Sequence, residues 1–182
     1  MLNLKKKIIS RKFKIGVIGL GYVGLPLVMR FLDSKITVYG VDESQEKISM
    51  IKKGISYISS INSKELKKIK NNCSTNYNIL NTTDVIFVCL PTPLKNKKPD
   101  LSYLKNCYNK LSKINLINKL IILESTVYPG VTRNLINKII IKQKLKIGVN
   151  FYAGYSPERE NPGDNNFSYK ITPKVVSGYT DQ

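Results

Sequence analysis

A strand that empties into Gly-x-Gly-x-x-Gly and then into a helix leaves a chain few folds to choose from. Phe13-Lys14-Ile15-Gly16-Val17-Ile18 is a short β-branched apolar run of strand type, followed at once by Gly19-Leu20-Gly21-Tyr22-Val23-Gly24. Leu25 to Leu32 then reads as the first turns of an apolar helix. Gly19 permits the tight turn, Gly21 lets an anionic group come close to the backbone, and Gly24 lets the helix pack against the strand. Leu20, Tyr22 and Val23 complete the cradle. The free N–H groups and dipole at the helix start favour a phosphate by about 0.3–1 kcal/mol.

A glycine pattern alone is weak, and a second strand strengthens it. Ile36 to Val41 ends in Asp42, 23 residues after the first glycine, close to the roughly 20 expected of a dinucleotide-binding unit. A carboxylate at that strand tip can accept both hydroxyls of an adenine ribose and repels a 2′-phosphate, which predicts NAD rather than NADP. Lys47 is within reach of the adenosine side, although a lone lysine on such a helix is as a rule only solvated.

Further along, apolar runs alternate with helical spacing. Glu43 to Lys53 reads as a helix ending at Gly54, Asn62 to Lys70 as a short charged helix, and Cys73 to Leu80 as an irregular stretch with one short strand. Asp84 to Leu90 is a continuous apolar run of the kind buried on both faces of a parallel sheet, and it stops at Pro91-Thr92-Pro93. Asp100 is expected to cap a helix from Leu101 to about Ile114. Leu120 to Leu123 is the next strand and opens into Glu124-Ser125-Thr126-Val127-Tyr128-Pro129-Gly130. A helix from Val131 to Leu145 and a strand from Phe151 to Tyr155 follow, and then Ser156-Pro157-Glu158-Arg159-Glu160-Asn161-Pro162-Gly163. The pattern predicts an α/β chain of Rossmann type, with a doubly wound, mainly parallel sheet of five or six strands. All four polar turns follow strands and so fall on one sheet edge, where ligands bind in such folds. Residues 1–12 are expected to be a basic, partly disordered lead-in, and 13–182 the NAD-binding domain.

Composition narrows the function classes. A formal net charge of +18 invites a nucleic-acid partner. The lysines, however, are scattered among Asn and Ile with no aromatic-interleaved basic face, as in the proteins of A+T-rich genomes, and no nucleic-acid partner is expected. The three cysteines, Cys73, Cys89 and Cys107, have no metal-ligand spacing and there is no histidine, which argues against a zinc site or a disulfide framework. Cys89, inside a strand, is expected to be an inert core thiol. No signal-peptide core and no apolar run of about 20 residues is present, so no membrane partner and a cytoplasmic location are expected.

The ordered motifs Gly-Leu-Gly-Tyr-Val-Gly-Leu-Pro, Val-Asp, Leu-Pro-Thr-Pro, Pro-Asp-Leu-Ser-Tyr-Leu, Glu-Ser-Thr-Val-Tyr-Pro-Gly and Ser-Pro-Glu-Arg-x-Asn-Pro-Gly resemble those of the UDP-glucose/GDP-mannose dehydrogenase family. The last two look most like the subgroup that oxidises UDP-N-acetylhexosamines for bacterial surface polysaccharides. The resemblance implies a four-electron oxidation of a sugar C6 alcohol to a carboxylate with two NAD, through an aldehyde captured by a cysteine and a thioester that is then hydrolysed. It places Gly19 to Gly24, Asp42 and Lys47 on the adenosine diphosphate part of the cofactor. Pro91, Thr92, Ser125, Thr126 and Val127 fall on its nicotinamide side. Glu158 corresponds to the acid–base residue that works with a water, with Thr126 nearby, and Glu158, Arg159, Asn161 and Pro162 fall at the substrate loop.

The family's catalytic lysine, asparagine and thiol, its central helix and its UDP-binding domain have no counterpart here, and that helix usually supplies the contact of a homo-oligomer. The chain is therefore expected to be an N-terminal portion, from a shortened, split or decayed gene, and inactive alone. Two alternatives remain open: a stand-alone NAD-binding or regulatory module, and a β-hydroxyacid or 6-phosphogluconate dehydrogenase-type domain.

Overall fold

The computed structural model describes residues 2–158 and 173–180. Its strands form where β-branched and aliphatic residues run without interruption. β1 (Lys14–Ile18), β4 (Val85–Val88) and β7 (Lys119–Leu123) lie side by side at the centre of a seven-stranded sheet. Both faces of these strands are covered, which is why their sequences read as solid apolar runs rather than alternating ones. With β2 (Thr37–Val41), β3 (Cys73–Ser74), β8 (Phe151–Tyr155) and β9 (Ser177–Gly178), the order is β3-β2-β1-β4-β7-β8-β9. Every pairing is parallel except that of β8 with β9. The chain winds outward from β1 in one direction and then the other, so the topological switch lies between β1 and β4. A ligand crevice is expected outside the carboxyl ends of those strands.

Two hydrophobic clusters divide along the two-residue period of the strands. Ile15, Val17 and Val85 face α2 (Gly24–Asp33) and α3 (Gln45–Lys53), burying Leu25, Val28, Ile48 and Ile51. Ile18, Ile86, Val88, Ile121 and Leu123 face α5 (Ser102–Leu111) and α6 (Val131–Gln143), burying Leu104, Leu111, Leu135 and Ile139. Helix ends follow local chemistry. The Ser44 hydroxyl accepts the Lys47 N–H at the start of α3, and Gly54 closes it at φ 71°. Asn62 and Glu65 form a capping box on α4 (Ser63–Leu66).

Several expectations change. The basic lead-in is not disordered over Leu2–Ile9: it forms helix α1, with Leu4 buried and Lys7 Nζ 2.6 Å from Asp84 Oδ1. A partner 77 residues away gives no local signal. The sheet has seven strands rather than five or six, because β9 adds an antiparallel edge. A separate hairpin, β5 (Leu94–Lys95) with β6 (Lys98–Pro99), follows β4. Its turn places Asn96 and Lys97 at φ 51° and 61°, the signs a tight two-residue hairpin needs. The cap of α5 also shifts by one residue. Leu101 holds the cap position, and the Asp100 carboxylate accepts the Ser102 N–H at 2.8 Å. Among the described residues no helix is long and apolar enough to cross a membrane.

Asp84 is the joint at the amino edge of the sheet. Its second oxygen accepts the Lys14 N–H at 2.9 Å. The buried Lys119 nearby bonds the Asn81 and Thr83 carbonyls, and burial pulls its ammonium down while Asp84 draws it back up. Removing Asp84 leaves that cation without its countercharge, whereas Lys7 is 43% exposed in its side chain. Asp84→Ala is therefore expected to cost about 1–3 kcal/mol in urea unfolding, and Lys7→Met under about 1 kcal/mol. Equal losses would contradict this account of the edge.

Candidate functional site

The turn after β1 is shaped by a contact too close for any side chain. A Cβ on Gly24 would lie 1.8 Å from the Gly19 carbonyl oxygen, so α2 can begin directly behind the turn only with glycine there. Gly19 itself sits at φ 89°, its would-be Cβ against the Cys89 carbonyl. Gly21 differs: a Cβ there meets nothing within 4 Å, and the residue lines an open cleft. This is a backbone cradle with space in front of it, and it fits the pyrophosphate of a dinucleotide at the start of α2.

That cleft encloses about 610 Å³, within the range of small-molecule sites. Asp42, Glu43, Ser44 and Lys47 border one end of it. Pro91, Thr92, Glu124, Ser125, Thr126 and Glu158 border the other, with Gly19, Gly21, Tyr22 and Val23 between. The strand-end turns predicted from sequence thus converge on one cavity. Leu20 and Gly24 stand behind its wall, fully buried. Val127 lines a neighbouring cleft with Arg133 and Tyr179. Arg159, Asn161 and Pro162 lie outside the described residues.

Asp42 is only 8% exposed and already engaged. Its Oδ2 accepts the Leu20 N–H at 2.8 Å and Lys47 Nζ at 3.3 Å, and its Oδ1 accepts the Ser44 N–H at 2.9 Å. The acid that follows β2 therefore also braces the glycine turn. Tyr57 supports the same turn by donating its hydroxyl to the Leu20 carbonyl at 2.6 Å. Burial, with Asp42 adding to it, pushes that phenol far above its usual range, so it stays a donor.

Across the cleft, the Ser125 hydroxyl donates to the Leu90 carbonyl at 2.6 Å and accepts the Leu90 N–H at 3.1 Å. Thr92 Oγ1 donates to the Thr126 carbonyl at 2.8 Å. These bonds tie the turn after β4 to the turn after β7. Ser125 is thereby committed to structure, while Thr126 is exposed to the cleft.

Cys89 borders the cleft, but burial is the main effect raising its thiol, with Glu124 and Glu158 raising it further. An uncharged thiol is a poor nucleophile. Cys73 and Cys107 are buried in the core, with thiols pushed up to about 12 by burial above all.

Three further groups, Glu124, Lys174 and Tyr103, carry no site signal of their own in the sequence. Glu124, 1% exposed, lies 2.5 Å from Lys174 Nζ, which also stands 4.0 Å from Glu158 Oε2. Glu124 was legible only as the first residue of a turn motif. Lys174 is one lysine in a lysine-rich chain and carried no signal. Tyr103, half exposed on the first turn of α5, also borders the cleft, and in the sequence it stands only within the motif Pro-Asp-Leu-Ser-Tyr-Leu, with no site role attached.

Fold and cleft together define an NAD-binding Rossmann domain. The chain belongs to the UDP-glucose/GDP-mannose dehydrogenase family, whose NAD binding domain matches residues 13–182. It is 38% identical over 175 residues to the UDP-N-acetyl-D-glucosamine 6-dehydrogenase of Pseudomonas aeruginosa, covering 94% of this chain and 41% of that protein. It is 30% identical over 174 residues to a UDP-N-acetyl-D-mannosamine dehydrogenase of Pyrococcus horikoshii, covering 93% and 42%. Among solved structures, the UDP-D-ManNAc dehydrogenase from Pyrococcus horikoshii superposes with a TM-score of 0.77 at 33% identity, over 82% of this chain and 37% of that one. A GDP-mannose dehydrogenase from Pseudomonas aeruginosa, solved as a ternary complex, gives 0.74 at 29%, over 81% and 36%. The chain thus spans about two fifths of the length of the curated relatives it matches.

The two glycines make separable predictions. Gly21→Ala is expected to unfold at the same urea concentration as the parent but to lose NAD affinity, because its methyl enters the cleft. Gly24→Ala is expected to lose about 1–3 kcal/mol of stability or more, since a backbone oxygen must move. Unfolding midpoints and calorimetric NAD titrations check both. Unimpaired NAD binding by Gly21→Ala would remove the cradle from the site.

Proposed function

We propose that this chain is the cofactor-binding part of a cytoplasmic NAD-dependent nucleotide-sugar dehydrogenase that oxidises the C6 hydroxyl of a UDP-N-acetylhexosamine to a carboxylate. The observation that carries this reading is the convergence of the glycine turn, Asp42 and Glu158 on one cleft. The substrate class is supported by relatives of 30–38% identity whose names specify UDP-N-acetylhexosamines. NAD, when bound, supplies the acceptor for the hydride leaving C6.

The chain's own residues divide the remaining work. The glycine turn, with Gly21 open to the cleft in front of α2, would hold the pyrophosphate. Asp42 faces the adenine ribose. Three of the roughly four acceptor positions of its carboxylate are used within the protein, so binding both ribose hydroxyls requires Lys47 to swing aside. Lys47 is 39% exposed in its side chain and has room to do so. Thr92 and Thr126 flank the nicotinamide end. Glu158 is the general base toward a water or the sugar, at the end of the cleft opposite Asp42. Arg159, Asn161 and Pro162 are assigned to the substrate on their motif alone.

Calorimetry on the chain is expected to show NAD binding detectably more tightly than NADP, with Asp42→Ala weakening NAD by about 1.5–3 kcal/mol through lost charged hydrogen bonds. Equal affinity for the two cofactors would contradict the role given to Asp42.

A further inference from the structure

We propose that Tyr103 is the wall on which the adenine ring of the cofactor packs, and that Glu43 positions it by anchoring helix α5 beside the Asp42 end of the cleft. This inference rests on the functional reading above and gives a task to residues outside the glycine turn. The core stripe of α5 is Leu104, Cys107, Tyr108 and Leu111, all buried. Tyr103 stands off that stripe, is 50% exposed, and borders the cleft together with Asp42, Glu43 and Ser44. An aromatic side chain left beside a cavity rather than packed in the core offers a flat apolar face to a ligand ring.

A second observation places that face. Glu43 follows Asp42 directly at the end of β2 and reaches across to α5. Its Oε1 accepts Lys110 Nζ at 2.9 Å, and Asn106 Nδ2 donates to Oε1 at 3.1 Å and to Oε2 at 3.2 Å. Lys110 also lies over the Tyr77 ring, 5.4 Å from its centroid. Tyr103, Asn106 and Lys110 are spaced i, i+3 and i+7, so they share one side of the helix. Three residues advance a helix by about 4.5 Å, which sets Tyr103 less than one turn from Asn106. An adenine joined to a ribose at Asp42 lies within reach of that ring. The other tyrosine lining the cleft, Tyr22, belongs to the glycine turn between the two ends. With side-chain exposures of 38% and 42%, the Lys110–Glu43 pair adds little to folding. Its effect, with that of Asn106, is on where α5 stands against the end of β2.

The test measures affinities for NAD and for ADP by calorimetry on the whole chain and its variants, with urea midpoints alongside. Tyr103→Ala is expected to weaken both ligands by roughly tenfold, within the range that base–aromatic stacking supplies, and to leave the unfolding midpoint unmoved. Tyr103→Phe keeps the ring and is expected to bind as the parent does. Tyr103→Gln, a good helix former without a ring, gives the same reading as the alanine variant should that variant not fold.

Glu43→Ala releases α5 from one side, and Asn106→Ala with Lys110→Met releases it from the other. Each release is expected to lose part of the tenfold, and to lose nothing further once Tyr103→Ala is added, because groups that act through one another are not additive. The two releases change the net charge in opposite directions, so matching losses do not come from charge at the cleft. A parent chain that binds neither NAD nor ADP overturns the functional reading and this inference with it. NAD binding unmoved by Tyr103→Ala, or a Tyr103→Phe loss as large as that of Tyr103→Ala, overturns the inference alone. So do releases that leave affinity unchanged, that differ in sign, or whose losses add to that of Tyr103→Ala.

Discussion

Between the Gly19 carbonyl oxygen and the α-carbon of Gly24 there is no room for a single additional carbon atom. That closeness sets where α2 starts, directly behind the turn, and leaves Gly21, Tyr22 and Val23 lining the cleft in front of it. Everything else at the site is arranged around this corner. The buried Asp42 carboxylate takes the Leu20 N–H and so joins the tip of β2 to the glycine turn. The Ser125 hydroxyl joins the turns after β4 and β7 in the same manner. Two pairs of neighbouring strand ends are thus fastened by a buried side chain bonded to backbone, where breaking the bond leaves a polar group dry.

Most of this was legible in the sequence because it is local. A continuous run such as Val85-Ile86-Phe87-Val88 reports burial on both faces, and the glycine spacing reports a turn geometry available to few other residues. The position of Asp42 at the end of a second strand joined these into one unit. What stayed hidden depends on distant partners. Helix α1 is held by Leu4 burial and by Lys7 reaching Asp84, and neither interaction marks the basic stretch as helical. The β5–β6 hairpin turns through Asn96-Lys97 without a glycine, and the strand β9 is only two residues long.

The candidate site divides in the same way. Gly21 and Asp42 announce themselves by spacing. Glu158 is a single acid in a proline-bounded turn, and its placement in the cleft follows only from β8 lying beside β7. Lys174 is joined to Glu124 across 50 residues, a pairing that no pattern in a lysine-rich chain could display. The motifs locate the Asp42 end of the cleft, and the fold then brings Glu124, Glu158 and Lys174 together.

The measurement that bears most directly on this account is a crystal structure of the chain grown with NAD. The account predicts the pyrophosphate against Gly21 and the first turn of α2, the adenine ribose at Asp42, and the nicotinamide between Thr126 and Glu158. A cofactor found elsewhere, for example in the neighbouring cleft beside Arg133 and Tyr179, or crystals without bound NAD under saturating conditions, would contradict it.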